Sequence, residues 1–407
     1  MYITIEEKTG MDIPMFRTAL KEATWVFVLS RFVILLVSYI SIVLLPQFGQ
    51  ALPANCTSLH LFNPCFLAWY HWDAMAYVSV AYKGYAFTPE VAFFPFWPLL
   101  IHFGGLLLGG HIPVSYYVAG LLLANICFYF ALVLLYCLLC EDFEASLAKK
   151  ALFYLAFYPY ALFFFVGYTE SLFLLLSVAI FLFLRRGRTL DWWFAGGIGF
   201  LAAFTRSTGV LLSIPFLILY VHHFWLHEKR DQKGWLQKLN ALAPIILFPM
   251  GILVYMIYLG YTKGNPFIFQ YEETFYWHRN FAWIWMTMGY MVKLLLDGSL
   301  FTFQYAYNLF DFAFTTFAIV ALVWAWKRLP LHYSLYALAV IIFSLSFPLG
   351  TMHPLTSQER YLIVLFPLPV IFALWGKNPR FDQFYVSIGT AMLALTTILF
   401  VGHYWVA

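Results

Sequence analysis

Charge is what this chain has least of. Only 10% of its 407 residues are Asp, Glu, Lys or Arg, against about 25% in an ordinary soluble protein. A water-soluble globule of this length needs far more charge to cover its surface, so lipid is the expected solvent. Cysteine is nearly as scarce. The five Cys show no metal-binding spacing, and Cys127, Cys137 and Cys140 fall in an apolar stretch that suits them as small core residues. The sequence also lacks an internal repeat, a low-complexity tail and a soluble domain. A formal net charge of +4 is too small to point to nucleic acid. No cleavable signal is expected, because the first 22 residues are polar with mixed charge. The apolar run that follows is too long for a signal core and reads as the first membrane span.

What the chain has is apolar and aromatic. Hydrophobic residues make up 63% and aromatics 22%, with 45 Phe, 28 Tyr and 15 Trp. Tyr and Trp favour the membrane–water boundary, where the ring is buried and the polar atom stays wet. A crossing helix needs about 20 apolar residues. Segments 23–45, 114–139, 239–259, 305–326, 333–349 and 384–405 meet or approach that length. Region 151–224 is divided at Gly167-Tyr168, at Arg185 to Arg188 and at Thr205-Arg206, and is read as four short spans. Segment 361–375 makes one more, for about eleven spans in a single all-α membrane domain covering 1–407. Segment 93–108 carries Pro95, Pro98 and Gly104-Gly105, with Gly109-Gly110 directly after it, so it is expected to lie at the interface or re-enter.

The distribution of positive charge tests this arrangement. With the N-terminus cytoplasmic, 16 of the 23 Lys and Arg fall on the cytoplasmic side, among them Lys149, Lys150, Arg185, Arg186, Lys238, Lys327 and Lys377. Six lie opposite (Lys83, Arg206, Lys263, Arg279, Lys293, Arg360), and Arg31 sits within the first span. That is a strong positive-inside bias, and counting 93–108 as a crossing would destroy it. Two long loops, 46–113 and 261–304, then face the non-cytoplasmic side, where function is expected.

The first of these loops contains Trp69-Tyr70-His71-Trp72-Asp73-Ala74-Met75-Ala76-Tyr77, then Gly84-Tyr85 and Phe93-Phe94-Pro95-Phe96-Trp97-Pro98. Asp73 is its first carboxylate. Set among aromatic rings, it can take a proton from an attacking hydroxyl, and flat apolar rings suit pyranose faces. Equally, it can simply cap a loop helix. The loop holds only Asp73 and Glu90 as acids, with no D-x-D or E-x-D pair, and His60, His71, His102 and His111 are too irregularly spaced for zinc. The nearest paired acids, Asp142-Phe143-Glu144, lie on the cytoplasmic side by charge. No metal or other cofactor is therefore expected. Glu272 and Glu273, among Tyr271, Tyr276, Trp277 and Trp283, fit an acceptor-binding role or a solvated interfacial loop.

The string Trp72 to Tyr85, followed by Phe93 to Pro98, resembles the PIG-V family of mannosyltransferases, which act in GPI-anchor assembly, together with their bacterial relatives. Further matching motifs are Tyr168-Thr169-Glu170-Ser171, Thr205-Arg206-Ser207-Thr208-Gly209, and Gln358-Glu359-Arg360-Tyr361 leading into Phe366-Pro367. They occur in the family's order over roughly 70–370. The resemblance implies a GT-C glycosyltransferase bundle with a polyprenyl-phosphate sugar donor and a lipid-linked or glycan acceptor. It also implies a catalytic Asp in the first non-cytoplasmic loop. Asp73 would then be the base of an inverting transfer. The leaving lipid phosphate is already an anion of low basicity, so stabilising it is the remaining task. Arg360 is the first candidate for that role and Arg206 the second, since a guanidinium can bind two oxygens. Trp72, Tyr77, Tyr85, Glu170, Gln358 and Tyr361 are substrate-binding candidates. An alternative for both arginines is a structural ion pair with Glu170 or Glu359.

Cys56 and Cys65 sit on the same face outside the spans, with eight residues between them in that loop. The compartment permits a disulfide, which would contribute roughly 2–3 kcal/mol to ordering the segment before Asp73. Two free thiols are the alternative, and Asn55-Cys56-Thr57 is also an N-glycosylation acceptor pattern. The rival class for the whole chain is a multispan transporter or flippase. The lack of an inverted repeat and the clustering of polar motifs at one face speak against it. A third reading, a non-catalytic subunit of an assembly complex, sits poorly with Asp73 in its aromatic setting. A bacterial plasma membrane is the expected location, with the endoplasmic reticulum as the alternative.

Overall fold

A computed structural model describes residues 13–45, 66–110, 112–226 and 234–406. Cys56, Cys65, His60 and His111 lie outside them, so the disulfide expectation does too. Among the described residues the chain forms seventeen α-helices, and the only β-pairing is isolated bridges. In order they are α1 (Ile13–Leu44), α2 (Asp73–Lys83), α3 (Phe96–Leu107), α4 (Pro113–Asp142), α5 (Ala145–Ala156) and α6 (Glu170–Arg186). Then come α7 (Thr189–Thr205), α8 (Ser213–Val221), α9 (Trp235–Leu242), α10 (Leu247–Lys263), α11 (Ile268–Phe275) and α12 (Ile284–Asp297). The chain closes with α13 (Phe303–Ala325), α14 (Leu331–Ser346), α15 (Gln358–Ile363), α16 (Pro367–Trp375) and α17 (Pro379–Val401).

Among the described residues, six stretches are long and apolar enough to cross a membrane: Ile13–Leu44, Pro113–Asp142, Ser207–Trp225, Trp235–Lys263, Phe303–Ala325 and Pro379–Val401. The remaining segments expected as spans hold shorter helices. The 17-residue α6 is about 25 Å long, enough to approach both faces of a hydrocarbon layer of about 30 Å. Segment 93–108 holds only the 12-residue α3, shorter than a crossing requires. The helices end where the sequence punctuates them. Pro113 opens α4 at a position where no N–H is needed. Gly187 closes α6 in the left-handed conformation, φ 66°.

The centre of the bundle is α4 against α6, flanked by α1, α3, α5 and α7. Between α5 and α6 the chain leaves regular helix, and its backbone groups are satisfied by side chains from neighbours. Arg31, buried in α1, donates to the Phe164 carbonyl at 3.2 Å and lies over the Phe128 ring at 4.4 Å. Trp97 Nε1 of α3 donates to the Gly167 carbonyl at 2.9 Å. Gly167 itself meets Gly120 of α4 so closely that a Cβ would stand 3.3 Å from the Gly120 carbonyl carbon. This approach seats the turn that precedes Glu170 on the central helix. Gly209 does the same after Arg206, where a Cβ would stand 2.3 Å from the Ala202 backbone.

Loop 261–304 is more ordered than its loop designation suggests. It carries α11 and α12, and it rests on the first loop through Trp277, whose Nε1 donates to the Pro89 carbonyl at 3.3 Å. The amphipathic mixture of aromatic and polar residues in α11 hid that helix from an apolar-run reading.

Candidate functional site

Asp73 is the first residue of α2, where the helix N-terminus favours a carboxylate. The turn before it is forced: Trp72 adopts φ 54° and ψ −124°, a backbone state that a bulky L-residue enters only at a cost. Tyr168 holds this turn from behind, its hydroxyl donating to the His71 carbonyl at 3.3 Å. Trp405 packs edge-on against Trp72 with ring centroids 4.9 Å apart. Burial pushes the His71 imidazole down to about 4, and the adjacent His403 adds to the effect. The ring is therefore neutral near pH 7 and brings no cation to the site.

Arg360 reaches Asp73 from the other end of the sequence. Its Nη1 is 2.5 Å from Asp73 Oδ2, and its Nε donates to Glu170 Oε1 at 2.8 Å. Arg206 Nη1 contacts the same Glu170 oxygen at 3.1 Å. Two acids and two guanidiniums thus form one neutral chain: Asp73, Arg360, Glu170, Arg206. Glu170 is completely buried, while Asp73 keeps 15% of its side chain open. Aromatic rings wall the group. Arg360 lies over Tyr168 at 4.7 Å and Phe163 at 5.5 Å, and Arg206 over Tyr361 at 5.2 Å, contacts that favour a cation in a poorly hydrated place. Tyr77, one helical turn after Asp73, packs against Tyr168 at 6.5 Å. A second positive-φ residue, Ser357 at 66°, starts the short α15 that carries Arg360.

The structure therefore brings together Asp73, Arg360, Arg206, Glu170, Tyr77 and Tyr361, with Trp72 on the rim. It does not bring Tyr85 or Gln358. Tyr85 donates to the Phe93 carbonyl at 2.6 Å and packs with Tyr255 in a separate apolar cluster. Gln358 is buried and donates through Nε2 to Ser344 Oγ of α14 at 2.7 Å. Both side chains spend their polar atoms on holding loops in place, a use that motif position alone does not reveal.

Three residues at the site were given no role there by the sequence: Tyr168 as a wall, Trp405 as a brace and Arg279 as a clamp. Arg279 donates to the carbonyls of Phe347 at 3.1 Å and Thr356 at 3.4 Å, and stands 3.9 Å from Glu273. It ties the second loop to the segment leading into α15. Desolvation raises the Glu273 carboxyl above its ordinary value, Arg279 opposes this, and the charge of Asp73 adds to it. The available signal for Arg279 was a lone cation amid aromatics. Among the described residues no three His, Cys, Asp or Glu gather as metal ligands.

A family model described as mannosyltransferase (PIG-V) matches residues 20–337. GPI mannosyltransferase 2 of Schizosaccharomyces pombe is 25% identical over 253 residues, which is 56% of this chain and 50% of that protein. The chain thus aligns with about half the length of the curated relative it matches. Crystal structures of the Archaeoglobus fulgidus oligosaccharyltransferase are looser neighbours. The form tethered to an acceptor peptide has TM-score 0.42 and 12% identity over 92% of this chain and 55% of its own. The apo form has TM-score 0.41 and 13% identity over 93% and 56%. Likenesses at that level carry no argument about the site.

Proposed function

Starting from the fact that this chain belongs to the mannosyltransferase (PIG-V) family, we propose that it is a membrane glycosyltransferase that moves a hexose, mannose by family, from a polyprenyl-phosphate donor to a lipid-linked or glycan acceptor. The observation that carries this reading is the Asp73 carboxylate, partly open to solvent and held by Arg360, which shares Glu170 with Arg206. A carboxylate that must act as base needs an orienting partner, and a departing phosphate needs a cation. One guanidinium stands beside both tasks.

Asp73 takes the proton of an acceptor hydroxyl, whose oxygen attacks the anomeric carbon from the face opposite the phosphate. The bond from that carbon to the phosphate oxygen breaks, and the electron pair leaves with the lipid phosphate. Arg360 and Arg206 bear the new charge. In the structure Arg360 is engaged by Asp73 and Glu170, so donor binding swaps one carboxylate contact for a phosphate contact. That swap releases Asp73 as base only when the donor is in place. Because the leaving group is already a stable anion, the step needs neither a general acid nor a metal. Trp72 and Tyr361 offer ring faces to the sugar, while Tyr77 is buried behind them against Phe93 and Tyr168. Positive-inside bias favours a non-cytoplasmic position for this end of the bundle, and the reading takes the membrane to be a bacterial plasma membrane or, alternatively, the endoplasmic reticulum.

The test is direct. Purified protein is incubated with defined polyprenyl-phosphate sugars and membrane lipids, and products are read by mass spectrometry. A glycolipid one hexose heavier, formed only with the polyprenyl-phosphate donor, supports the reading. Absence of product with every such donor and lipid acceptor overturns it.

A further inference from the structure

Two carboxylates that the proposed chemistry does not use stand out beside the site, one of them directly preceding Arg360. Glu359, in the first turn of α15, and Asp311, in the middle of α13, are both fully buried. No donor from another residue reaches any of their four oxygens, and the two side chains interact with each other. Three phenols feel their charge: Tyr158 and Tyr160 from the segment after α5, and Tyr307 one turn earlier on α13. Arg360 follows on the same short helix, but its Nε and Nη1 are spent on Glu170 and Asp73. Ser344 of α14 is taken by Gln358. With no hydrogen-bond partner at any of the four oxygens, two ionised acids at this depth would repel each other and forgo hydration, a cost that retaining one proton removes.

We propose that Asp311 and Glu359 share one proton in a carboxyl–carboxylate hydrogen bond, and that this pair is a positioning device that pins α15, and with it Arg360, to α13. One acid donates its O–H, the other accepts, and the pair carries a single negative charge. The same helix braces the other half of the site. Tyr307 of α13 accepts from Trp405 Nε1 at 3.0 Å, and Trp405 packs against Trp72, the residue before Asp73. Thus α13 holds the residue preceding Asp73 by one link and the residue preceding Arg360 by another. Their 2.5 Å contact is set from a common rail. The effect on transfer rests on the function proposed above; the shared proton does not.

The experiment has two arms. Infrared spectra of purified protein near neutral pH are compared with those of the Asp311→Asn/Glu359→Gln double variant. The C=O stretch of a protonated carboxyl, above the carboxylate band, is expected in the wild type and lost in the variant. In the second arm Glu359→Gln, whose amide N–H can donate to Asp311 as the proton does, keeps transfer within about threefold. Glu359→Ala lowers kcat at least about tenfold at saturating acceptor and raises the donor KM. No protonated-carboxyl difference, or a Gln variant as impaired as the Ala variant, overturns the proposal. If the protein transfers no sugar at all, the infrared arm still decides the shared proton, so failure of the functional reading is distinguishable.

Discussion

Helix α6 ends in a charged cluster at each terminus, and the two are built differently. At its C-terminus Arg185 binds Asp142 of α4 at 2.5 Å, and the other Asp142 oxygen accepts from the Tyr333 hydroxyl at 2.8 Å. Asp142 is saturated and its side chain is only 2% exposed. Its arginine lies at a helix C-terminus, where the dipole favours a cation. At the N-terminus Glu170 is shared by two arginines, one of which also holds a second, partly exposed acid. That second acid follows a positive-φ tryptophan, and rings line the cluster. The first cluster is closed and staples α4, α6 and α14. The second has a carboxylate within reach of an incoming group and an arginine able to change partners. A buried ion pair is not in itself a functional sign; an open, shared and strained one is.

The sharpest way to break the comparison is to remove the central acid of each cluster. Glu170→Ala leaves two guanidiniums facing each other without an anion. It is expected to cost roughly 3–5 kcal/mol of stability and all transfer, seen as a lowered thermal midpoint in detergent and no product. Asp142→Asn keeps shape and can still bond Tyr333. It should lower the midpoint yet leave kcat of the folded fraction near wild type. If both variants lose stability and activity in parallel, the two ends are not distinct.

A smaller effect separates the arginines. Arg360→Lys retains charge but loses the two-edged geometry needed to hold Asp73 and Glu170 together, so donor affinity is expected to fall about tenfold. Arg185→Lys at the far end should leave donor affinity unchanged. Titration with a non-transferable donor analogue measures both. Equal donor affinities for Arg360→Lys and wild type would move phosphate binding to Arg206.

The smallest effect is in pH. The His71 imidazole sits at about 4 in the folded protein, below its ordinary value near 6.5. Between those values the unfolded chain holds the extra proton, so stability is full above about 6.5 and is lost as pH falls toward about 4. The whole shift corresponds to roughly 3 kcal/mol. Thermal midpoints at neutral and mildly acidic pH should differ more for the wild type than for His71→Asn. No such difference would remove His71 from the account.

Much of the fold was legible because lipid imposes length and charge rules that a sequence must obey. The breaks proposed at Gly167-Tyr168, Arg185 to Arg188 and Thr205-Arg206 coincide with the turn before α6, the junction of α6 with α7, and the end of α7. Helices α11 and α12 were not legible, since they are short and mix aromatic with polar residues. At the site, Asp73 was marked as the first acid of an aromatic loop, and Glu170, Arg206 and Arg360 by motifs that resemble the PIG-V family. An ion pair with Glu170 or Glu359 was the alternative for the arginines. The contact between residues 73 and 360 was beyond reach, because nothing local encodes a pairing across 287 positions. Asp311 was passed over inside an apolar span, where a lone acid raises the question of its partner but does not answer it.

The central claim is that Asp73 is the base that Arg360 holds until the donor arrives. It is tested most directly by Asp73→Asn in a transfer assay with saturating donor, paired with donor-analogue binding. The amide preserves shape but cannot take the proton. Turnover should drop below about a tenth of wild type, a loss of at least about 1.4 kcal/mol in the barrier. Donor affinity should hold or tighten, since Arg360 is relieved of an ionic partner. Turnover above about a tenth of wild type with unchanged donor binding would contradict the account.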